Sequence, residues 1–205
     1  GVDVTYLPVG STGIVDLAAL KKALRPETVL VSIHYANNEI GTIQPIREIS
    51  KMLRHFRNKL ATSSSQLKAV KNRGAIFHTD ASQAPCYLDC NVERLGVDLL
   101  TLDGHKIYGP KGIGALYIKR NTLVLPITFG GGQEKGLCPG TENVPLIAGL
   151  AKALEICSPE RQKESSRLIK LRDRIYYSDI LKNIRIRMVL NGDPILRLPN
   201  NINIS

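Results

Sequence analysis

The sequence has no run of 18 or more consecutive apolar residues, which excludes a membrane-spanning helix. No signal-peptide pattern is visible. It contains no Cys-x-x-Cys pair. The four cysteines are Cys86, Cys90, Cys138 and Cys157, and Cys86 and Cys90 lack a second metal-type pair, so a reduced intracellular protein with free thiols is expected. Acids are outnumbered, 18 Asp and Glu against 28 Lys and Arg, giving a net charge of +10 and a sequence pI near 9.6. Such a surface attracts polyanions but says nothing about fold. From Lys51 to Arg73 there are seven Lys or Arg and no acid. With no exposed aromatics interleaved and no recognised nucleic-acid motif, this stretch reads as a solvated helix face and loop rather than a nucleic-acid patch.

What is present suits a globular α/β protein. The 205 residues fit one domain or one and a half, with 43% hydrophobic and 22% charged residues. The chain begins without methionine and stops in a strand-like run, Asn203-Ile204-Ser205, so a piece of a longer protein is expected.

Val2 to Leu7 is rich in β-formers and predicts a strand. Asp16 is placed to cap a short helix carrying Leu17, Leu20 and Leu24, with Pro26 after its end. Val29 to Ile33 predicts a buried strand leading into the polar loop His34 to Gly41. Ile46, Ile49, Leu53, Phe56 and Leu60 recur at helical spacing behind Pro45. Ala75 to His78 predicts another strand, ending in His78 to Gln83, and Val92 to Leu95 a short helix. Two helices are expected near the C-terminus, Asn143 to Cys157 with Leu146, Leu150, Leu154 and Cys157 on one side, and about Pro159 to Tyr177 with Leu168, Leu171 and Ile175. Arg185 to Leu190 predicts a last strand. Strands alternating with helices imply a largely parallel sheet, with ligands beyond the carboxyl ends of the strands.

One stretch stands out: Thr101 to Gly114, TLDGHKIYGPKGIG. Apolar runs flank it, Val97 to Leu102 and Ile113 to Ile118, so Lys106 falls on a tight connection between two strands. Dense glycine lets backbone approach a ligand closely. A lysine held there can be partly desolvated, and a neutral amine attacks carbonyls. Three polar clusters fall at strand ends: Asn37-Asn38-Glu39, His78 to Gln83, and Gly104-His105-Lys106. Together they offer what pyridoxal phosphate (PLP) requires. Lys106 supplies the amine for its aldehyde, and Asp80 a carboxylate for its ring nitrogen. Gln83 and Asn38 supply donors for its phenolate oxygen. His105, Gly104 and Thr141 supply groups for its phosphate.

These motifs resemble those of the NifS/IscS-like cysteine desulfurases, a family that includes the selenocysteine lyases within the class V aminotransferases of fold type I. The resemblance rests on ANNEIG (Ala36 to Gly41), HTDASQ (His78 to Gln83), GHKIYGPKGIGALY (Gly104 to Tyr117), GGGQE (Gly130 to Glu134), PGTEN (Pro139 to Asn143) and the closing PNNINIS. It implies a fold type I large domain over residues 1–150 and the start of a small domain over 151–205. It also implies PLP on Lys106, Asp80 at the pyridine nitrogen and Gln83 at the phenolic oxygen. Asn38 would lie near that oxygen and the substrate carboxylate. His105 would contact the phosphate, and Thr141 would contact it from the second subunit of a homodimer. The implied reaction turns L-cysteine into alanine, and the implied partners are iron–sulfur scaffolds or other sulfur acceptors. The implied compartment is the cytoplasm, with the mitochondrion an alternative.

Two positions depart from the pattern. Asp103 stands where the cysteine desulfurases often have a phosphate-binding serine, and Cys138 where they often have arginine. None of the four cysteines matches the catalytic one; the ring-stacking histidine, catalytic cysteine loop and substrate-clamping arginine are expected outside residues 1–205. The isolated chain is therefore expected to be inactive. The alternatives are a selenocysteine lyase, favoured by the longer segment before His78 and by PGTEN, and a catalytically dead basic binding protein.

Overall fold

The structure, a computed structural model, describes residues 1–63, 74–178 and 188–205. In chain order the elements are α1 (Leu17–Ala23), β1 (Leu30–Ser32), α2 (Ile46–Ser63), β2 (Ile76–Asp80), α3 (Val92–Leu95), β3 (Leu99–Asp103), β4 (Gly114–Ile118) and α4 (Val144–Tyr176). The strands form one sheet in the order β1-β2-β3-β4. The pairs β1–β2 and β2–β3 are parallel, and β3–β4 is antiparallel. The largely parallel α/β sheet is therefore present, with one antiparallel edge.

Local chemistry sets the boundaries. The Asp16 carboxylate accepts from the amides of Ala18 and Ala19 at 2.8 and 3.1 Å and starts α1. Asn91 does the same for α3 through the Arg94 amide. Ile46, Ile49 and Leu53 of α2 are buried to 1% exposure or less. At spacings of three and four they form the stripe that covers Phe77 and Leu100 of the sheet.

Beneath that stripe lies a polar knot. Asp98, 7% exposed, accepts from the Phe77 amide at 2.9 Å and from the Arg57 guanidinium at 2.5 Å, with the Lys119 ammonium at 3.6 Å. Arg57 also donates to the Ala75 carbonyl. One of the seven cations between Lys51 and Arg73 is thus an internal tie from α2 to the sheet rather than part of a solvated face. Residues 64–73 of that stretch lie outside the described residues.

Two expectations are corrected. Val2 to Leu7 forms no strand; Val2, Val4 and Tyr6 are 78%, 69% and 90% exposed. No strand among the described residues pairs with it, and β-propensity without a partner does not make a strand. The two C-terminal helices are one. α4 runs 33 residues with Pro159 inside it. Its side chains grip one loop on both sides of the proline: Cys157 Sγ lies 3.9 Å from the Pro85 carbonyl, Arg161 Nε donates to that carbonyl at 3.0 Å, and Ser165 Oγ donates to the Tyr87 carbonyl at 3.5 Å. Docking on that loop holds the axis through a residue that would otherwise end it. The expected domain boundary at residue 150 falls within this helix. Residues 185–187 of the expected strand Arg185 to Leu190 lie outside the described residues; of the rest, Leu190 bridges Ile204.

Candidate functional site

The site is the edge formed by the carboxyl ends of β1, β2 and β3. The polar clusters read from the sequence follow these three adjacent strands. Backbone bonds lock the ends together. Tyr35 N donates to the Asp80 carbonyl at 2.7 Å, and Ala81 N to the Thr101 carbonyl at 3.0 Å. Asp80 is the last residue of β2 and is exposed, its Oδ1 accepting from the Ser82 amide at 2.9 Å. Gln83 is half-buried in the turn that follows, and Asn38 is exposed.

The alternation of β2 sends Phe77 and Thr79 into the core and leaves His78 and Asp80 on the opposite face. There His78 spans three strands. Nδ1 meets Ser32 Oγ at 2.8 Å, and Nε2 meets Thr101 Oγ1 at 2.9 Å. Burial lowers the pKa of His78 and of His34 below the ordinary imidazole value, and the nearby Asp80 charge opposes that shift. His34, Ser32 and Thr101 were not singled out by the sequence. The signal that could have found them is period-two placement beside His78 and Asp80.

Lys106 lies on a single 3₁₀ turn, His105–Ile107, directly after β3. Ile107 is buried against Cys86 and Leu150, which anchors the turn to α4, while Lys106 is exposed rather than partly desolvated. The turn spends its amides internally. Gly104 N donates to the Ile113 carbonyl at 2.9 Å, so its N–H, expected for a phosphate, is committed to the residue just before β4. Ile107 N and Gly109 N donate to the Gly104 carbonyl. The Asp103 carboxylate turns to the His105 ring. Thr141 is exposed two residues before Asn143, the cap of α4, and no hydrogen bond ties it to the strand ends among the described residues.

The loop carrying Asn38 is held by the C-terminal segment. Asn201 Nδ2 donates to the carbonyls of Asn38 and Glu39 at 3.3 and 2.8 Å, and Asn203 Nδ2 to that of Glu39 at 3.1 Å. Arg197 Nη2 donates to the Ile40 carbonyl at 3.0 Å. Gly41 sits at φ +74°, where a Cβ would lie 2.7 Å from Asn201 Oδ1, so only glycine lets the clasp close. The closing PNNINIS is therefore part of the site's support.

Cys86 packs beneath the Lys106 turn, against Ile107. Burial pushes the thiols of Cys86 and Cys90 up to about 12, which leaves both protonated near neutrality; Cys138 is exposed. No group of three or more His, Cys, Asp or Glu able to hold a metal ion occurs among the described residues, and no helix among them is long and apolar enough to cross a membrane.

As a donor set this edge fits PLP. A lysine amine, an exposed carboxylate, two amides and an imidazole stand on three adjacent strand ends. Comparison with known proteins gives the family. The model of the aminotransferase class-V family matches residues 1–205. Cysteine desulfurase IscS of Dictyoglomus turgidum is 46% identical over 205 residues, covering 100% of this chain and 47% of that protein. A solved structure described as a NifS-like protein superposes with a TM-score of 0.85 at 35% identity, over 100% of this chain and 51% of its own. The structure of SspA in complex with cysteine is 43% identical, with a TM-score of 0.65, over 76% of this chain and 40% of its own. The chain spans about half the length of the curated relatives it matches.

Proposed function

We propose, from the premise that this chain belongs to the class-V aminotransferase family, that the protein is a PLP-dependent cysteine desulfurase. It converts L-cysteine to L-alanine and leaves the sulfur as a persulfide on an enzyme cysteine. The observation that carries the reading is the common edge on which Asn38, Asp80 and Lys106 follow three adjacent, hydrogen-bonded strands. Homology supports the substrate, since the relatives are named cysteine desulfurases and one related structure holds cysteine.

When bound, PLP supplies an electron sink for the charge left on the substrate's α-carbon. This chain's residues do the rest. Lys106 Nζ would hold the cofactor, and the same amine would take the substrate's α-proton. Asp80, fixed by the Ser82 amide, holds a proton at the ring nitrogen. Gln83 and Asn38 orient the phenolate oxygen, and Asn38 also meets the substrate carboxylate. His105 binds the phosphate, joined by Thr141 of a second copy in a homodimer. None of the four cysteines here is assigned as sulfur acceptor, in line with the buried, protonated thiols of Cys86 and Cys90. Downstream partners would be scaffold or acceptor proteins of iron–sulfur or thio-cofactor assembly.

The test is an absorbance spectrum of the full-length protein with PLP, before and after Lys106→Ala. A visible band that the substitution abolishes, with alanine formed from L-cysteine by the unsubstituted protein, is the expected result. A folded protein without such a band would sink the reading. Alanine formed from selenocysteine but not from cysteine would transfer it to the selenocysteine lyases.

A further inference from the structure

Asp103 is an acid at a place where the proposed function puts a phosphate dianion. It ends β3 and directly precedes the Lys106 turn. An unpaired carboxylate there would repel the phosphate and weaken cofactor binding. The structure gives it another employment. Asp103 Oδ1 accepts from the His105 ring Nδ1 at 2.7 Å and from the His105 amide at 3.2 Å. An ionised carboxylate only accepts, so the hydrogen between them belongs to Nδ1. The imidazole is then oriented with Nε2 facing away from Asp103.

The backbone around the pair is fixed. Gly104 N is bonded to the Ile113 carbonyl, and the Gly104 carbonyl accepts from both Ile107 and Gly109. A Cβ at Gly104 would lie 2.8 Å from the Pro110 carbonyl oxygen and 2.8 Å from Ile113 Cγ2, so the segment between Asp103 and His105 is packed tight. These contacts fix the backbone that carries both side chains and so set the spacing between their Cα atoms. Both side chains are nevertheless open to a ligand, with 32% of the Asp103 and 43% of the His105 side chain exposed.

We propose that Asp103 is the positioning residue for His105, holding Nδ1 so that Nε2 is the atom offered to the cofactor phosphate. This rests on the PLP reading of the site. With a dianion at Nε2 the ring donates from both nitrogens, one hydrogen to the carboxylate and one to the phosphate. The acid therefore strengthens anion binding through the ring it holds, and this effect outweighs its own repulsion. The sign is opposite to what charge alone predicts.

The test titrates the full-length apoprotein with PLP and with pyridoxal, which lacks the phosphate. Asp103→Ala is expected to weaken PLP binding about tenfold, the size of one charge-assisted hydrogen bond, and to leave pyridoxal binding unchanged. Asp103→Asn keeps an oxygen acceptor for Nδ1 and is expected to stay within about threefold of the parent. In a His105→Ala background, Asp103→Ala is expected to cause no loss, because there is no ring left to hold. Nitrogen-15 shifts of the unsubstituted apoprotein are expected to place a hydrogen on His105 Nδ1, a reading that needs no variant to fold. A bare Nδ1, or Asp103→Ala binding PLP as tightly as the parent or tighter, overturns the proposal. A parent that binds neither compound overturns the reading of the site, and this role with it.

Discussion

The two sides of this molecule are finished to different degrees. Where α2 covers the sheet, Ile49, Phe77 and Ala81 have no exposure and every polar group of Asp98 has a partner. On the segment after β4, Leu125, Ile127 and Phe129 are 72%, 92% and 85% exposed, and Tyr108 on the Lys106 turn is 84% exposed. The first region is a core that this chain closes by itself. The second leaves large apolar side chains open to solvent. Stability should therefore be concentrated on the α2 side and be nearly indifferent to the other.

The sharpest way to break that contrast is Asp98→Ala. It strands the Arg57 cation and the Phe77 amide together, and a loss of about 3–5 kcal/mol is expected in urea denaturation. A loss under about 1 kcal/mol would mean the knot is not the anchor of this region. Asp16→Ala removes only the cap of the seven-residue α1 and is expected to cost about 1 kcal/mol in the same measurement.

A smaller, pH-dependent effect is expected at the site edge. His34 and His78 have folded-state pKa values below the unfolded value of 6.5, so acid favours the unfolded chain. Their contribution is complete above that value and is lost as pH falls through the lowered folded values. Denaturation midpoints should drop with acid, and His78→Gln should flatten part of that slope. The least effect is expected from Phe129→Ser, within about 0.5 kcal/mol in dilute solution. An effect that grew with protein concentration would mean that a second copy covers this surface.

Local chemistry was legible in the sequence. Asp16 announces its helix because a cap acts within three residues. The stripe Ile46-Ile49-Leu53 announces α2 because burial follows helical period. Asn38, Asp80 and Lys106 were legible as candidates because polar clusters after apolar runs mark strand ends. What depended on distant partners was not. Arg57 looks like one more surface cation until Asp98 is brought beneath it. Pro159 looks like a helix end until the loop around Pro85 grips both halves of α4. Val2 to Leu7 has the composition of a strand and no strand among the described residues to pair with. Asp103 was legible as a departure, but its bond to His105 needed the geometry of the turn.

The clasp on the Asn38 loop also orders events in time. The bond from Asn201 to the Glu39 carbonyl joins positions 162 apart in the chain. Closing so long a loop is entropically costly, and contacts of this separation form slowly compared with the local ones of α1 or the β3–β4 hairpin. The loop that carries Asn38 therefore gains its final shape only after the chain has been followed nearly to residue 205. During synthesis the turn that carries Lys106 is therefore in place before the loop that carries Asn38 takes its final shape.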